Sequence, residues 1–506
     1  MEDEETAHLS VIGSIEAEPS AERAIKNPWH SRPLDVHRWT NHAELITVLD
    51  AVWHKHCAAL AGKRRSGPKP KQSLRNQLRV LLLDLYVAWL EDPDLSIGVS
   101  MSMNDWDIWS RYNKLGIAKK IVFLIHLLHK AGLIDMARGS YSGPNAPGNR
   151  ITRIRAAEPL RAMFRAANAI RADVYQVEGQ ECIIMKGGDG EEAKLIEYKD
   201  TPETNRMRAE LQAYNQLLAD TFIDIPLLDH PCIVREDGGR VLVDPYHQFV
   251  RRIFSRGSWG CNGRFYGPWW QQIGSEWRSR VFINDTPTVE VDFKGLHVQL
   301  LSARKGVVLE GDPYELPGGL IPGVPDDVQR VIIKKLVLTA LNARTRKAAF
   351  ASFREGFPTG HGAKRLTDKV LETLLLRFIE KHPHLEDALC TDQGIGLMNL
   401  DAQIAELVLR HFTNLGIPVL SVHDSFIIDY RKVGMLKDVM AKASRQVTGQ
   451  ALPVAGYGPG LDEWDAPIYV LQHFEAWRET ERVSGYLQRM RNWEERKGKL
   501  IKHTRA

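Results

Sequence analysis

Little in this chain marks it as secreted, membrane-borne or cross-linked. Its five cysteines, Cys57, Cys182, Cys232, Cys261 and Cys390, are odd in number and widely scattered. They offer neither a disulfide framework nor a CxxC zinc site, and they fit a reducing, cytoplasmic setting. No apolar run approaches the roughly 18 residues of a membrane span, so no membrane partner is expected. The first residues, MEDEETAHLSVIGSIEAEPSAERA, are acidic and lack the basic and apolar regions of a secretion signal. Internal repeats are absent. A strong charge imbalance is missing as well: +4 over 506 residues names no partner by itself.

What the chain does have is length and segmentation. It is long enough for about three domains, each with its own core. A composition of 43% hydrophobic and 26% charged residues is that of an ordinary globular protein. Residues 1–25 carry no periodicity and are expected to be disordered. KRRSGPKPKQSLRN, 63–76, reads equally as a solvated linker or as a basic arm touching phosphates. Helical patterns follow in LRNQLRVLLLDLYVAWLED and in GIAKKIVFLIHLLHKAGLI. In the second, Ile117, Ile121, Leu124 and Leu128 share a face, and Lys119, Lys120, His126 and Lys130 fall largely off it. Gly132 marks a helix stop. DMARGSYSGPNAPGNRITRIRA then reads as a strand, a turn and a strand carrying Arg150, Arg153 and Arg155. Helices followed by a basic hairpin resemble a winged helix-turn-helix, which would make Lys119, Lys120, Arg150 and Arg153 nucleic-acid contacts. The plainer alternative is a helical domain with a surface hairpin.

Residues 180–250 alternate strands (ECIIMK, AKLIEYKD) with one helix over 203–219. RRIFSRGSWGCNGRFYGPWWQQIGSEWRSR follows, where basic residues interleave with aromatics, a composition suited to phosphates and stacked bases. In TVEVDFKGLHVQLLSA, Val289, Val291 and Phe293 alternate with Glu290 and Asp292 before the pattern turns helical. That places Asp292 at a strand end. IPVLSVHDSFIIDY places Asp424 in the same way, interrupting an apolar run where a buried charge is costly. Two carboxylates on separate strand ends are what a two-metal phosphoryl-transfer site needs, with metals about 3.5–4 Å apart. Between them, DDVQRVIIKKLVLTALNAR sets Arg330 and Lys334 four residues apart on one helical face, with Lys335 adjacent, a grip for a triphosphate. Each piece has a bland reading: strand-end aspartates are usually caps, and Arg/Lys pairs are usually solvated faces. LPVAGYGPGLDEWDAP reads as a loop after a helix over 434–449. The mixed-charge tail reads as a solvated helix, or else as one touching duplex.

Taken in order, these elements resemble the polymerase core shared by bacterial DNA polymerase I and the single-subunit phage and mitochondrial RNA polymerases, over about 250–430. Asn262-Gly263-Arg264 resembles the GR element that contacts template and primer. Asp292 to Gln299 resembles motif A (DYSQIELR). Arg330, Lys334 and Asn342 fall at the R, K and Y of motif B (RxxxKxxxxxxxY). Asn399 and Gln403 match an Asn and a Gln four apart on the helix before motif C, and His423-Asp424-Ser425 resembles motif C, HDE or HDS.

The resemblance implies an α+β right-hand fold of palm, fingers and thumb. The domains would be a disordered 1–25, a winged-helix-like 26–155, a thumb-like and connecting 156–250, a palm and fingers core 251–433, and a palm extension with a basic helical tail at 434–506. It implies two Mg²⁺ ions (Mn²⁺ as the alternative) on Asp292, Asp424 and the Phe293 carbonyl. Arg330, Lys334, Lys335, His297 and Asn342 would meet the nucleotide, with Lys334 also protonating the leaving pyrophosphate. His423 would steady the primer end, and Arg264, Asn399 and Gln403 would touch DNA template and primer. The expected activity is template-directed nucleotidyl transfer without a proofreading domain. Asn342, Thr339, Gln299, Ser302, Ala303 and Ser425 are similar to the RNA enzymes, whereas His297 stands where DNA polymerases carry the bulky glutamate that excludes a 2′-hydroxyl. With the short spacing between motifs, His297 favours deoxynucleotides. An RNA polymerase or primase is the alternative, and a catalytically inactive DNA-binding replication protein is the second.

Overall fold

The computed structural model describes residues 30–57, 74–106, 110–140, 142–143, 149–190, 193–235, 239–457 and 482–504. The acidic N-terminus and 63–73 of the basic segment lie outside these. Within the described residues the architecture is mixed helix and sheet, divided into two compact units. The first takes Glu22–Cys182, Cys232–His247 and Arg489–Ala506; the second takes Ile183–Pro231 and Gln248–Gln488.

In the first unit, β1 (Ser31–Pro33), α1 (Ala43–Val52), α2 (Leu74–Glu91), β2 (Ser96–Val99), α3 (Ile121–Lys130), β3 (Ile134–Ala137), β4 (Thr152–Ala156) and α4 (Glu158–Ala166) surround one core. The sheet order is β1-β2-β4-β3, parallel only between β1 and β2. Periodicity explains α3: Ile117, Ile121, Leu124 and Leu128 are fully buried, while Lys119, Lys120, Phe123, His126 and Lys130 are exposed. α2 is buried on nearly every side and carries Asp84 with it, paired to Arg32 and Arg38. β3 and β4 form the expected hairpin, although its tip, 144–148, lies outside the described residues. The boundary expected at 155 falls at Cys182 instead, because α4 buries Leu160 and Phe164 in this same core. For the same reason 156–250 is not one region, since 232–247 belongs to the first unit, and the expected 434–506 is divided at Gln488.

The second unit is built on an antiparallel sheet. Its elements are β5 (Ile183–Gly187), β6 (Lys194–Leu195), α5 (Pro202–Ala219), β7 (Ile223–Asp224), β8 (Arg251–Ser255), β9 (Ser258–Tyr266), β10 (Phe282–Ile283), β11 (Thr286–Phe293), α6 (Leu296–Arg304), α7 (Asp326–Asn342), α8 (Arg346–Glu355), α9 (Asp368–Lys381), α10 (Gly394–Asn414), β12 (Val419–Val422), β13 (Ser425–Asp429), α11 (Val433–Thr448) and β14 (Val454–Tyr457). The main sheet runs β12-β13-β11-β10-β7, with β14 paired to the other side of β11. A smaller sheet joins β9-β8-β5-β6. Alternation dictates β11: Val289, Val291 and Phe293 point into the core, and Glu290 and Asp292 share the opposite face. β14 corrects the loop expected at 452–467: Val454–Tyr457 pairs with Glu290–Phe293, a partner that no local pattern announces. In the C-terminal helix, Ser484–Thr504, Tyr486 is fully buried and its hydroxyl lies 2.9 Å from Asp285, so that turn is packed rather than solvated.

Candidate active site

The interrupted apolar run at 417–430 is a β-hairpin. β12 and β13 pair from Val419↔Ile428 to Val422↔Ser425, leaving His423 and Asp424 as the two-residue turn. Two-residue hairpins require positive φ, and His423 supplies it at 56°. The charge sits in this strand because it is at the tip, where ladder pairing ends. β13 lies against β11 with Asp292 opposite Ser425, which brings the turn to the end of β11 where Asp292 stands. Burial, with the Asp424 and Glu290 carboxylates nearby, holds the Asp292 carboxyl well above the usual range. Its Oδ1 is buried and has no hydrogen-bond partner among the described residues. After Phe293 the chain turns at Gly295, φ 60°, into α6.

Lys334 on α7 lies within electrostatic reach of Asp292 and opposes its rise, and it makes no hydrogen bond or ion pair among the described residues. Lys334, Lys335, Thr339 and Asn342 line one face of α7 along an open depression of about 380 Å³, with Ser352 across it. Arg330 is held instead by Asp312. Lys335 is partly spent: its ammonium donates to the Gly356 carbonyl and lies 3.7 Å from the Phe357 ring centre, and burial lowers its pKa. Asn342 donates to the Leu338 carbonyl of its own helix at 2.8 Å.

Beside the turn, burial and the Arg264 cation lower the His423 pKa, and its ring lies 5.5 Å from that of Tyr266. Arg264 is anchored through Nε and Nη2 to Asp401, a carboxylate buried in α10, while Nη1 makes no hydrogen bond among the described residues. His297 Nε2 sits 3.3 Å from Arg264 Nη2 and 3.7 Å from Asp401, so the residue expected at the sugar is part of this cluster. Asn399 is largely engaged within the protein. Its amide donates to the Trp259 and Asn262 carbonyls, both at 2.9 Å, and its oxygen accepts from Gln403, also at 2.9 Å. Its amide hydrogens fasten β9 to α10, while its oxygen keeps a second lone pair and the residue, 9% exposed, borders the same groove as Gln403. Gln403 is exposed on a groove of about 650 Å³ that Arg206, Arg252, Trp259 and Arg410 also line.

In the first unit, Lys119, Lys120 and Arg150 are exposed. Arg153 is not: it lies in the middle of the sheet, opposite Gly98 and Ala137, and is only 8% exposed. Sequence reasoning placed it among phosphate contacts because basic residues cluster there; alternation sets it on the face opposite Ile154, and the fold covers that face too at this position.

Three residues escaped that reasoning. Asp401 had no local signal beyond a charge in an apolar helix. Arg278 had none. Glu290 did: the alternation that exposes Asp292 to one face puts Glu290 on that face too. No group of three or more His, Cys, Asp or Glu among the described residues is arranged to hold a metal ion. What stands here is a pair, Asp292 and Asp424, with the Phe293 carbonyl at the end of the same strand. Its unpartnered Oδ1 and like-charge repulsion fit a divalent cation completed by substrate oxygens.

No family model and no curated protein matches the chain. Among solved structures, the POL domain of Pol1 from M. smegmatis, in complex with DNA primer-template and dNTP, is similar at 12% identity, over 77% of this chain and 70% of that chain, with a TM-score of 0.25. A likeness of that size adds no weight to the geometry.

Proposed function

We propose that this chain is a template-directed polymerase that transfers nucleotides from nucleoside triphosphates to a 3′ hydroxyl, in a right-hand arrangement of palm, fingers and thumb. The observation that supports it is Asp292: a half-buried carboxylate whose Oδ1 is buried and unpartnered, beside Asp424 at a hairpin tip and within reach of an uncommitted Lys334. Asp292, Asp424 and the Phe293 carbonyl would hold two Mg²⁺ ions, or Mn²⁺. When bound, they supply a more acidic 3′ hydroxyl and neutralise charge on the departing oxygens.

The chain's own residues do the rest. Lys334 binds the triphosphate; as the 3′ oxygen, its proton passed to water, bonds to the α-phosphorus and the α–β P–O bond breaks, Lys334 gives its Nζ proton to the leaving pyrophosphate. Arg330 exchanges Asp312 for phosphate, and Lys335, Asn342 and Thr339 border the same depression. His423 orients the primer end. Arg264 reaches nucleic acid through Nη1, with Gln403 on the neighbouring groove. His297, braced by Arg264 and Asp401, restricts the space beside the sugar, which favours deoxynucleotides over ribonucleotides. The first unit is a winged-helix-like DNA-binding module whose contacts are Lys119, Lys120 and Arg150. No helix among the described residues is long and apolar enough to cross a membrane. We assign the chain to the cytoplasm.

A primed template with Mg²⁺ and either dNTPs or NTPs tests the enzyme. The wild type should extend with dNTPs. Asp424→Ala should lose on the order of 10³-fold or more, the several kcal/mol that metal-held charge stabilisation supplies. Extension with neither nucleotide set would leave only the inactive DNA-binding reading. Preference for NTPs would assign RNA synthesis, and products without primer would assign priming. In the first unit, Lys119→Ala with Lys120→Ala should flatten the salt dependence of duplex binding by about 0.9 in log–log slope per lost contact. An unchanged slope removes those lysines from the interface.

A further inference from the structure

We infer that Glu290 is a positioning residue: clamped between Arg278 and Ser425, it sets where the His423–Asp424 turn stands against Asp292 and so tunes the divalent-cation affinity of the pair. This rests on the reading of Asp292 and Asp424 as the cation-holding site.

Residues two apart on a strand share a face, so Glu290 and Asp292 point the same way, and Ser425, opposite Asp292 in register, points with them. Glu290 reaches diagonally to the base of the turn. Its Oε1 accepts from Ser425 Oγ at 2.5 Å, and its Oε2 accepts from Arg278 Nε at 2.8 Å. The Ser425 hydroxyl also lies 3.1 Å from the Val422 carbonyl, so it closes the neck of the hairpin whose tip is Asp424. Each Glu290 oxygen is thus engaged by one clamp partner, and the residue acts on a cation through the turn it holds and through its charge.

That charge is costly where it stands. Glu290 is 8% exposed and is one of the carboxylates that push Asp292 up. An apolar residue at 290 would spare Asp292 that repulsion and leave no buried charge needing Arg278. Arg278 pairs with that charge, and the charge adds to the negative potential that a cation held by Asp292 and Asp424 would meet. The turn also needs an external hold, because His423 occupies the left-handed region, sparsely populated by residues with a Cβ.

The experiment is Mn²⁺ titration calorimetry on the full chain, without nucleotide or nucleic acid, alongside thermal melts. Ser425→Ala and Glu290→Gln should weaken Mn²⁺ binding by roughly ten- to a hundredfold, as loss of groups that orient metal ligands does. Ser425→Thr, which keeps the hydroxyl, should restore it. A merely structural clamp would lower the melting temperature and leave Mn²⁺ affinity alone. If Asp292→Asn abolishes Mn²⁺ binding while Ser425→Ala and Glu290→Gln bind as the wild type does, this inference falls and the site stands. Weakening by Glu290→Gln alone would reduce Glu290 to a charge and overturn its positioning role. If the wild type and Asp292→Asn bind Mn²⁺ alike, the site reading fails and the inference with it.

Discussion

Asn399 shows how much a single side chain can be redirected by its surroundings. Its spacing from Gln403 pointed outward to nucleic acid, yet its amide closes on two carbonyls of β9, and Gly263 beside it, at φ 96°, has room for no side chain: a Cβ would lie 2.9 Å from Phe254 and 3.1 Å from Asn399 Nδ2. Asn399→Ala leaves those carbonyls unpaired and should cost about 1–3 kcal/mol. A lower melting temperature with unchanged duplex affinity is the expected outcome; lost duplex affinity at an unchanged melting temperature would return Asn399 to the nucleic acid. Arg330 and Lys334 make the same point. Their spacing on one helical face was legible, but which of them is already paired depended on Asp312, far from both in pattern though not in space.

Among the elements, the strand–turn–helix around Asp292 was the most readable, since a change from period 2 to helical period is local. The turn itself is demanding. Gly295 has φ 60°, and a Cβ there would come 2.8 Å from Pro313 Cγ. Gly295→Ala should cost about 1–2 kcal/mol in left-handed backbone strain, plus the clash. Differential scanning calorimetry should show a lower melting temperature, and primed extension should fall as the end of β11 shifts; melting and extension both equal to wild type would mean the turn relaxes freely. β14 was illegible for the opposite reason. A short strand among glycines and prolines exists only because β11 offers it a ladder of backbone partners.

At the scale of the whole molecule, burial of charge is the feature that composition hid. In the first unit Arg38 and Asp84 are 2% and 0% exposed, Arg171 pairs with Asp244, and Asp35 stands between Arg38 and His247. Burial, helped by Arg38 and opposed by Asp35 and Asp244, lowers the His247 pKa from 6.5 to about 4. The folded protein therefore binds fewer protons than the unfolded chain across that window, and stability falls as pH drops from about 6.5 to about 4. A third of the His247 side chain faces solvent, which limits the loss to about 1–2 kcal/mol. His247→Gln should flatten this part of the stability–pH profile measured by denaturant unfolding; a profile identical to wild type would show that other groups carry it.

The sequence by itself determined what is periodic: the apolar face of α3, the alternation that sets Glu290 and Asp292 on one side of β11, and the cationic face of α7. Each follows from backbone geometry over a few residues. Only the tertiary structure decided who meets whom. Arg264 finds Asp401 across 137 residues and Ser425 finds Glu290 across 135, pairings that no local spacing encodes. Such contacts depend on how strands register and helices pack, and on where buried polar groups must find partners. They turned Asn399 and Arg153 inward, left Lys334 uncommitted, and gave Ser425 a carboxylate to hold.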